Sequence, residues 1–470
     1  MNAIKRQILN KNNIIYSLIT LMMLSTISII APITTEFNVL ILLWGALYFV
    51  YDFFKEKTYY KSRYSKILIV YMIIFFIGIL INYKNNLIGN IKTFAYTGFF
   101  LFVVYSYKND FEERYTQKEL YNINSIIIII SSIVSFASLL TFIFFIQFTY
   151  NNVPQGFVYP NSPALWGFYG NPNSGGMVAV ISIIATTFNI YLYKSLKDKN
   201  SSLARKIYYY LNIIVQFLYL ILCNSRGAVI SLLAFIIFAS FYLLFIFFKE
   251  DKKMANIKSI IISLLLTCII SFVYTTSIPS LKKGLAHIPK TIDKLINSEK
   301  SNVGVIETES NDEVIELDRN IESGHVSTGR VEIWTYGLNT LKLNPLFGHG
   351  PDNIGLAKQK IYPNDKSRYM VTNNMHNGYL QILLSNGILG FIAFSLFIIL
   401  IVKDTLFSLF STKIISDKSS YIPLFFITGL VLSIAVNGLF ENVILLTQSY
   451  ITTVLWIYLS YLSRRLDKAK

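Results

Sequence analysis

The chain has 470 residues, of which 53% are hydrophobic and only 14% are charged, and its mean hydropathy is +0.50. A chain of this composition cannot bury all its apolar segments inside water-soluble domains, which excludes an ordinary soluble protein. The net charge of +16 could indicate nucleic-acid binding, but the cations gather in alternate short loops, as membrane insertion requires. We therefore expect a lipid bilayer and no nucleic acid among the partners.

Twelve apolar segments are long enough to cross a bilayer as helices, for which about 17 to 25 residues are needed. They lie near 14–34, 37–53, 66–83, 91–107, 122–148, 175–193, 207–223, 226–248, 257–277, 378–402, 421–440 and 444–462. Their unbroken runs of Ile, Leu and Phe lack the alternation of a membrane-spanning barrel. The predicted fold is all-α, a polytopic membrane helical bundle.

The loop cations predict the orientation of the bundle. Lys and Arg precede the first span, follow the second, fourth, sixth, eighth and tenth spans, and continue in the tail, whereas the intervening short loops hold only Lys84, Lys92 and Arg226. By the positive-inside rule, both termini are cytoplasmic. The first span follows a basic stretch but lacks a small-residue cleavage site, so we expect it to remain as an anchor.

The predicted spans divide the chain into three parts. Spans 1–9 occupy residues 1–277, a large extracytoplasmic loop occupies 278–375, and spans 10–12 occupy 376–470. On this topology, most of the outer surface of the protein belongs to the loop.

Three segments outside the membrane have a recognisable composition. Residues 299–322 are acidic and poor in aromatic residues, which predicts a mobile segment. Residues 330–343 are predicted to form an amphipathic helix, because four apolar residues share one face of it: Ile333, Trp334, Leu338 and Leu341. Residues 149–174, rich in Pro, Gly and aromatic residues, are predicted to form an ordered, turn-rich cap.

His376 is the strongest candidate for chemistry. It lies two residues before the tenth predicted span, at the outer edge of the membrane, and a neutral imidazole can take a proton from a sugar hydroxyl near physiological pH. The alternative is an interfacial histidine without a catalytic role. Asn377 follows it directly, and Gly387 and Gly390, one helical turn apart, are expected to let another helix pack closely.

Two arginines are candidate anion-binding residues. Arg226 follows a short Asn-Ser turn and opens the eighth span, where a cation opposes both the helix dipole and the topology rule. Arg330 likewise follows a small polar turn and opens the predicted amphipathic helix. Together they could clamp a diphosphate. The alternatives are a contact of Arg226 with lipid headgroups and an ordinary solvated position for Arg330.

The remaining polar candidates are weaker. Glu441, in the outer loop between the last two spans, is the one acid placed to join His376, although a lone acid at this position is more typical of a helix end. His287, His325 and His349 match no metal-ligand spacing and are expected to be surface or turn residues. No metal and no cofactor are implied.

With these residues assembled, the chain resembles the O-antigen ligase and polysaccharide polymerase (WaaL/Wzy) superfamily of bacterial surface glycan assembly. His376-Asn377, followed by nine residues and then by Gly387 and Gly390, looks like the superfamily's H-[NSQ]-x9-G-x2-G motif. The motif stands, as in that superfamily, at the outer edge of a late span.

Further segments are similar to other elements of the superfamily. Residues 328–334 and 344–350 are similar to the run that ends the large external loop. Arg226 resembles the arginine of an R-x3-L element, although an isoleucine stands where leucine is usual. Asn171 and Asn173, just before the sixth span, look like part of one more element.

The resemblance implies metal-independent glycosyl transfer from a polyprenyl (undecaprenyl) diphosphate-linked saccharide at the outer face of the bacterial cytoplasmic membrane. His376 would deprotonate the acceptor hydroxyl, and Arg226 and Arg330 would bind the diphosphate. Supporting positions in the site would be Asn377, Asn171, Asn173 and Glu441.

The function that we expect is polymerisation of lipid-linked repeat units into a capsular, O-antigen or other surface polysaccharide. A ligase that moves finished glycan to a lipid or wall acceptor would use the same residues. A flippase for lipid-linked oligosaccharides is the alternative from another class, although transporters generally have related halves and a midplane site. Chain-length regulator and flippase proteins would be further partners of a polymerase.

Overall fold

The computed structural model describes residues 7–108, 112–160, 163–196, 202–248, 255–298, 317, 329–365 and 367–469. The chain divides into two compact units. The first unit comprises Met1–Met22, Thr35–Ile123 and Ser323–Lys470, and the second comprises Met23–Thr34 and Asn124–Glu322. Apart from Leu317, the segment 299–322, predicted to be mobile, lies outside the described residues.

Helices make up most of both units. The described α-helices of eight residues or more are, in chain order, α1 (Lys11–Leu24), α2 (Ala31–Phe54), α3 (Ser65–Ile81), α4 (Leu87–Phe99), α5 (Glu113–Ile143), α6 (Pro172–Leu196), α7 (Leu203–Leu222), α8 (Arg226–Phe247), α9 (Ala255–Ser298), α10 (Arg330–Thr340), α11 (Ile354–Ile361), α12 (Gly378–Leu409), α13 (Lys418–Asn437) and α14 (Tyr450–Ala469). A π-helical turn, Phe100–Val104, follows α4, and 3-10 turns occupy Leu341–Leu343 and Pro351–Asn353.

Each of the twelve predicted spans overlaps one of these helices. Within the described ranges, eight helices are long and apolar enough to cross a membrane, and the shorter Ser65–Ile81 is also apolar. The prediction of an all-α polytopic membrane protein is therefore confirmed.

The first unit is built around α12, which packs against α3, α13 and α14. Rings of Tyr105, Phe397 and Trp456 form a buried cluster with centroid separations of 5.5 to 6.0 Å. Beyond this cluster, towards the end of α12, the Arg63 guanidinium binds the carboxylates of Asp404 and Asp467. These contacts join α12 to α14 and to the segment that precedes α3.

Polar side chains join the helices of the second unit. The hydroxyl of Ser131 on α5 donates to Ser182 on α6 over 2.7 Å, and the Asn212 amide on α7 donates to Thr186 on α6 over 2.8 Å. The Gln216 amide in turn donates to Asn212 over 3.1 Å. Between apolar helices in a membrane, such hydrogen bonds contribute to association because lipid offers no competing partner.

The cap predicted at 149–174 contains a β-sheet that the sequence did not reveal. Three antiparallel strands, β1 (Gln147–Tyr150), β2 (Val153–Val158) and β3 (Ala164–Gly167), lie in the order β1-β2-β3. The Phe157 ring packs edge-on against Phe142 of α5, with centroids 5.1 Å apart. Helix α5 therefore ends at Ile143, earlier than the predicted span.

Several span boundaries also differ from the prediction. The first span, expected at 14–34, is broken after Leu24, where the Ser28 amide donates to the Phe168 carbonyl over 2.8 Å. The last helix begins at Tyr450 instead of 444, because the Ser449 hydroxyl accepts from the Thr452 amide at its start. Helix α9 continues to Ser298, so the beginning of the loop predicted at 278–375 is helical.

Candidate functional site

The start of α12 is fixed by Asn377. Its side-chain oxygen accepts hydrogen bonds from the amides of Tyr379 and Leu380, both over 3.0 Å. Because the first amides of a helix have no partner within it, such a cap stabilises the helix start by about 1 kcal/mol. Asn377 thus caps the first turn of α12 and places His376 directly before the helix.

The backbone at His376 is held in an unusual conformation. Its φ angle is +46°, in the left-handed region that costs an L-residue energy. The amide of His376 donates to the Asn374 side chain over 2.9 Å. On the preceding residue, Met375, the carbonyl accepts from the Trp334 indole over 2.8 Å and the amide donates to the Gln381 side chain over 3.0 Å. These bonds fix the backbone from which the imidazole extends.

Glu441 brings two of the predicted site residues together. One carboxylate oxygen, Oε2, lies 3.0 Å from His376 Nδ1, and the other, Oε1, accepts from Arg330 Nη2 over 2.9 Å. The side chains are 38% exposed for His376, 25% for Arg330 and 16% for Glu441. The imidazole is thus the most accessible side chain of the three, and the Glu441 carboxylate is the least accessible.

This contact has a consequence for the protonation of the imidazole. A neutral ring that donates from Nδ1 to Glu441 keeps its free electron pair on Nε2, which is then able to accept a proton. The carboxylate also stabilises the imidazolium that forms when Nε2 is protonated. The arrangement of His376 and Glu441 is suited to general base catalysis.

The loop that carries Glu441 is attached to the start of α12. The Gly378 amide donates to the carbonyls of Gly438 (2.7 Å) and Glu441 (3.1 Å). A side chain at Gly378 would collide with Ile444, because an added Cβ would lie 2.6 Å from its Cγ1 atom. The absence of a side chain at Gly378 therefore permits this close approach.

Arg330 is placed by α10, the amphipathic helix expected at 330–343. Gly329, with φ +78°, turns the chain into the helix, and the buried side chain of Ile333 packs with Met375 and Leu384. Trp334 and Leu341 pack against this core, whereas Leu338, expected on the same face, is 47% exposed. The helix therefore rests on α12 with a narrower apolar face than the sequence suggests.

Gly387 interrupts α12, which differs from the continuous helix expected there. Its φ is +67° and its ψ −173°. The interruption frees backbone groups that pair with residues 345–350: the amides of Ile388 and Leu389 donate to the carbonyls of Pro345 and Leu346 over 2.8 and 3.2 Å. The freed carbonyls of Leu384 and Ser385 accept from His349 and Gly350 over 3.0 and 2.9 Å.

The two glycines of the motif thus have different surroundings. A Cβ on Gly387 would collide with the backbone of Leu346 and Phe347. Gly390 is buried, and a Cβ there would lie 3.7 Å from Ile74 of α3, at ordinary contact distance, but would collide with Asn386. Both glycines were expected to let another helix pack closely. The close contact is found at Gly387, and its partner is the loop at residues 345–350.

His349 differs from the surface or turn position expected for it. It is only 5% exposed, and its Nε2 lies 2.9 Å from the Thr340 carbonyl. Burial lowers the pKa of this imidazole, which favours the neutral ring. His287 is exposed, as expected, and His325 lies outside the described residues.

Arg226 lies in the second unit, at the first position of α8. The Ser225 hydroxyl accepts from the Ala228 amide at the start of this helix over 3.4 Å, and the Arg226 side chain is exposed. The side-chain amide of Asn224 donates to the carbonyls of Pro163 and Leu317 over 2.6 and 2.9 Å. The turn before Arg226 is thus tied to the cap.

Asn171 and Asn173 lie near this turn, within the same unit. The Asn171 side chain accepts from the Asn173 amide over 2.8 Å at the beginning of α6. A Cβ on Gly176, one turn later, would lie 2.9 Å from the Cβ of Ser225, so the starts of α6 and α8 are in close contact. The predicted residues therefore form two groups, one in each unit.

Two residues that fix the backbone next to His376 were not predicted from the sequence. Gln381 and Trp334 both bind the backbone of Met375, yet no motif marked Gln381, and Trp334 was predicted only as a residue of an apolar face. The position of a polar amide in the first turn of an otherwise apolar helix was the available signal for Gln381.

The O-antigen ligase family (Wzy_C) matches residues 211–395, which include Arg226, Arg330, His376, Gly387 and Gly390. No curated protein matches the chain. Its apolar helices and this match indicate a membrane enzyme of O-antigen ligase or polymerase type. The resemblance found in the motifs is confirmed by this match, which supports the O-antigen ligase and polysaccharide polymerase superfamily over residues 211–395.

Proposed function

We propose that the protein is a glycosyltransferase of the bacterial cytoplasmic membrane that polymerises polyprenyl diphosphate-linked oligosaccharide repeats into a surface polysaccharide. The observation that carries the proposal is the bridge that Glu441 makes between His376 and Arg330. It joins a base to a cation, as transfer of a sugar from a diphosphate requires. The reaction takes place at the outer face, as the loop charges predict.

His376 is the base in this proposal. Its Nε2 takes the proton of a hydroxyl on the acceptor saccharide, and the hydroxyl oxygen attacks the anomeric carbon of the donor. The bond from that carbon to the diphosphate oxygen breaks, and the electron pair leaves with the polyprenyl diphosphate. A single displacement of this kind inverts the anomeric centre. General base catalysis typically contributes about 10² to 10⁴ to the rate.

Arg330 is the cation that stabilises the departing diphosphate. Its guanidinium has five N–H donors in a planar fork, and one nitrogen, Nη2, is engaged by Glu441. The remaining donors are available for phosphate oxygens, and the contact with Glu441 limits how far the side chain can turn. Arg226 remains our sequence-based candidate for a second diphosphate contact, with Asn171 and Asn173 as supporting residues.

Glu441 has a positioning role in the proposal. A carboxylate close to a diphosphate would repel it, but the charge of Glu441 is balanced by Arg330 before the reaction and also by the imidazolium that forms during it. The carboxylate thus orients both partners at limited electrostatic cost. Glu441 is therefore included among the site residues of this proposal.

A ligase is the second candidate, because the matching family is described as O-antigen ligase. Deletion of the gene in the source cell separates the two activities. Loss of a polymerase leaves single repeats on the lipid carrier, whereas loss of a ligase leaves long chains that are not attached to their acceptor. The first result supports our proposal and the second contradicts it.

A reconstituted assay separates the enzyme from a flippase. Purified protein in liposomes is given the lipid-linked repeat, and both elongation and movement across the bilayer are measured. Elongation without translocation is the expected result. Translocation without elongation would contradict the proposal.

A further inference from the structure

The first unit contains a large cavity at the end opposite His376. Its volume is about 1340 Å³, and its lining comes from α1, α2, α5, α14 and the chain after the π-helical turn. The lining residue Tyr107 donates to Asp467 over 2.6 Å, and Asp467 shares Arg63 with Asp404 of α12. A helix rises about 1.5 Å per residue, so Asp404 lies roughly 24 Å along α12 beyond its break at Gly387.

The cavity carries an excess of positive charge. Its described lining includes four cations, Lys11, Lys55, Lys108 and Arg464, and two carboxylates, Glu56 and Glu119. The carboxylates are already engaged. Glu56 binds Lys108 over 2.7 Å, and Glu119 accepts from Asn12 over 2.5 Å, from Tyr461 over 3.1 Å and from Arg464 over 3.3 Å. The net charge of the lining therefore favours an anion.

Lys11 is held inside the cavity wall with little compensation for its charge. Its Nζ donates to the Val104 carbonyl over 3.0 Å, which uses one of the three ammonium protons. Burial lowers the pKa of Lys11 to about 7; the charges of Glu119 and Asp52 oppose this shift and that of Arg464 adds to it. An anion in the cavity would relieve this cost.

The rest of the lining suits a ligand that bears hydroxyl groups. Five tyrosines contribute aromatic faces and phenolic groups: Tyr48, Tyr51, Tyr107, Tyr115 and Tyr461. Side-chain amides of Gln7, Asn10 and Asn12 add donors and acceptors. Such a lining provides partners for hydroxyls beside an anionic group.

We propose that this cavity binds a phosphate ester with a hydroxyl-bearing head, at the face of the membrane opposite the glycosyl-transfer site. The ligand is either the headgroup of an anionic lipid in the adjacent leaflet or a soluble sugar or glycerol phosphate. Lys11 and Lys55 contact the phosphate, and the tyrosine hydroxyls contact the head. The proposal concerns a site separate from His376 and does not depend on the reaction proposed there.

The test uses the full-length protein in nanodiscs of phosphatidylcholine, with or without phosphatidylglycerol, and soluble glycerol 3-phosphate as the second probe. Thermal unfolding and calorimetric binding are measured without any glycan substrate. We expect phosphatidylglycerol or glycerol 3-phosphate to raise the unfolding temperature of the wild type. Stabilisation by phosphatidylglycerol alone assigns the site to the lipid, and stabilisation by glycerol 3-phosphate assigns it to a soluble ester.

Variants separate the cavity from general surface charge. Lys55→Gln changes an exposed residue and should fold normally, yet it should weaken binding about tenfold, since a charge-assisted contact is lost. Lys11→Gln should have a similar effect and should also abolish proton uptake on binding near pH 7. Lys413→Gln, an exposed lysine outside the lining, is the control. No stabilisation of the wild type, or an equal loss in Lys413→Gln, would overturn the proposal.

Discussion

The Nδ1 atom of His376 lies 3.0 Å from Oε2 of Glu441, although α12 and α13 separate the two residues in the sequence. When Nδ1 donates to this carboxylate, Nε2 is the nitrogen that remains to accept a proton. The same carboxylate binds Arg330, so one side chain links the orientation of the base to that of the cation. Removal of either partner should therefore disturb both.

Glu441→Gln should lower the elongation rate on the order of 100-fold, towards the lower end of what general base catalysis contributes. A neutral amide can present its nitrogen to His376, which favours the wrong tautomer, and it no longer stabilises the imidazolium. Initial rates in liposomes, with protein amount checked by fluorescence-detected chromatography, measure the effect. A rate within a factor of about two of wild type would contradict the positioning role of Glu441.

Arg330→Lys should slow elongation more than it weakens binding of the lipid-linked donor. Lysine keeps a positive charge near Glu441 but cannot bind a carboxylate and phosphate oxygens with a rigid fork. Values of kcat and KM, measured separately across a donor titration, show this difference. Arg226→Lys, assayed in parallel, tests the sequence-based assignment of the second arginine, and near-normal polymer length would leave Arg226 as a headgroup contact.

Gly387→Ala should destabilise the protein by about 1 to 3 kcal/mol, because alanine would be forced into a left-handed conformation beside the Leu346 backbone. Gly284→Ala is the matched control. Among the described residues, nothing beyond the local helix backbone lies within 4 Å of a Cβ at Gly284, which is inside α9, so alanine there should be neutral or slightly stabilising. Thermal unfolding in detergent compares the two variants, and equal stabilities would argue against a strained break in α12.

Lys358 should make stability depend on pH in the alkaline range. It is fully buried in α11, donates to the Tyr369 carbonyl over 2.7 Å, and burial lowers its pKa to about 8. Between pH 8 and the ordinary lysine pKa of about 10.4, the unfolded chain binds more protons than the folded one, so stability contributed by this group rises with pH.

Lys358→Met removes that contribution. The unfolding temperature of the wild type should therefore rise relative to that of Lys358→Met as the pH increases from 8 to 10, whereas the exposed Lys360→Met should show no such trend. Parallel curves for wild type and Lys358→Met would contradict a charged, buried lysine at neutral pH.

The sequence predicted the helical membrane fold because long apolar runs have few alternatives in a bilayer. It also identified His376 and Arg330 through local motifs. It also offered Glu441 as the acid placed to join His376, but it could not predict that the same carboxylate binds Arg330, because that contact depends on how distant segments pack. The sheet was missed because β1 begins inside an apolar run that extends α5 in the sequence pattern.

The break at Gly387 was missed for a related reason. Two small residues one turn apart in an apolar span are typical of helix packing, and nothing local indicates that residues 345–350 replace the missing backbone bonds. The buried position of His349 has the same origin, since its amide and ring both bind backbone carbonyls that only the folded chain brings close.

The most direct test of the account is elongation of the lipid-linked repeat by purified protein in liposomes, compared for wild type, His376→Ala and the exposed control His287→Ala. We predict that His376→Ala lowers the elongation rate by a factor of at least about 100, although the variant folds and inserts normally. The His287→Ala variant should elongate at the wild-type rate. Polymer of normal length and rate from the His376→Ala protein would contradict the assignment of His376 as the base.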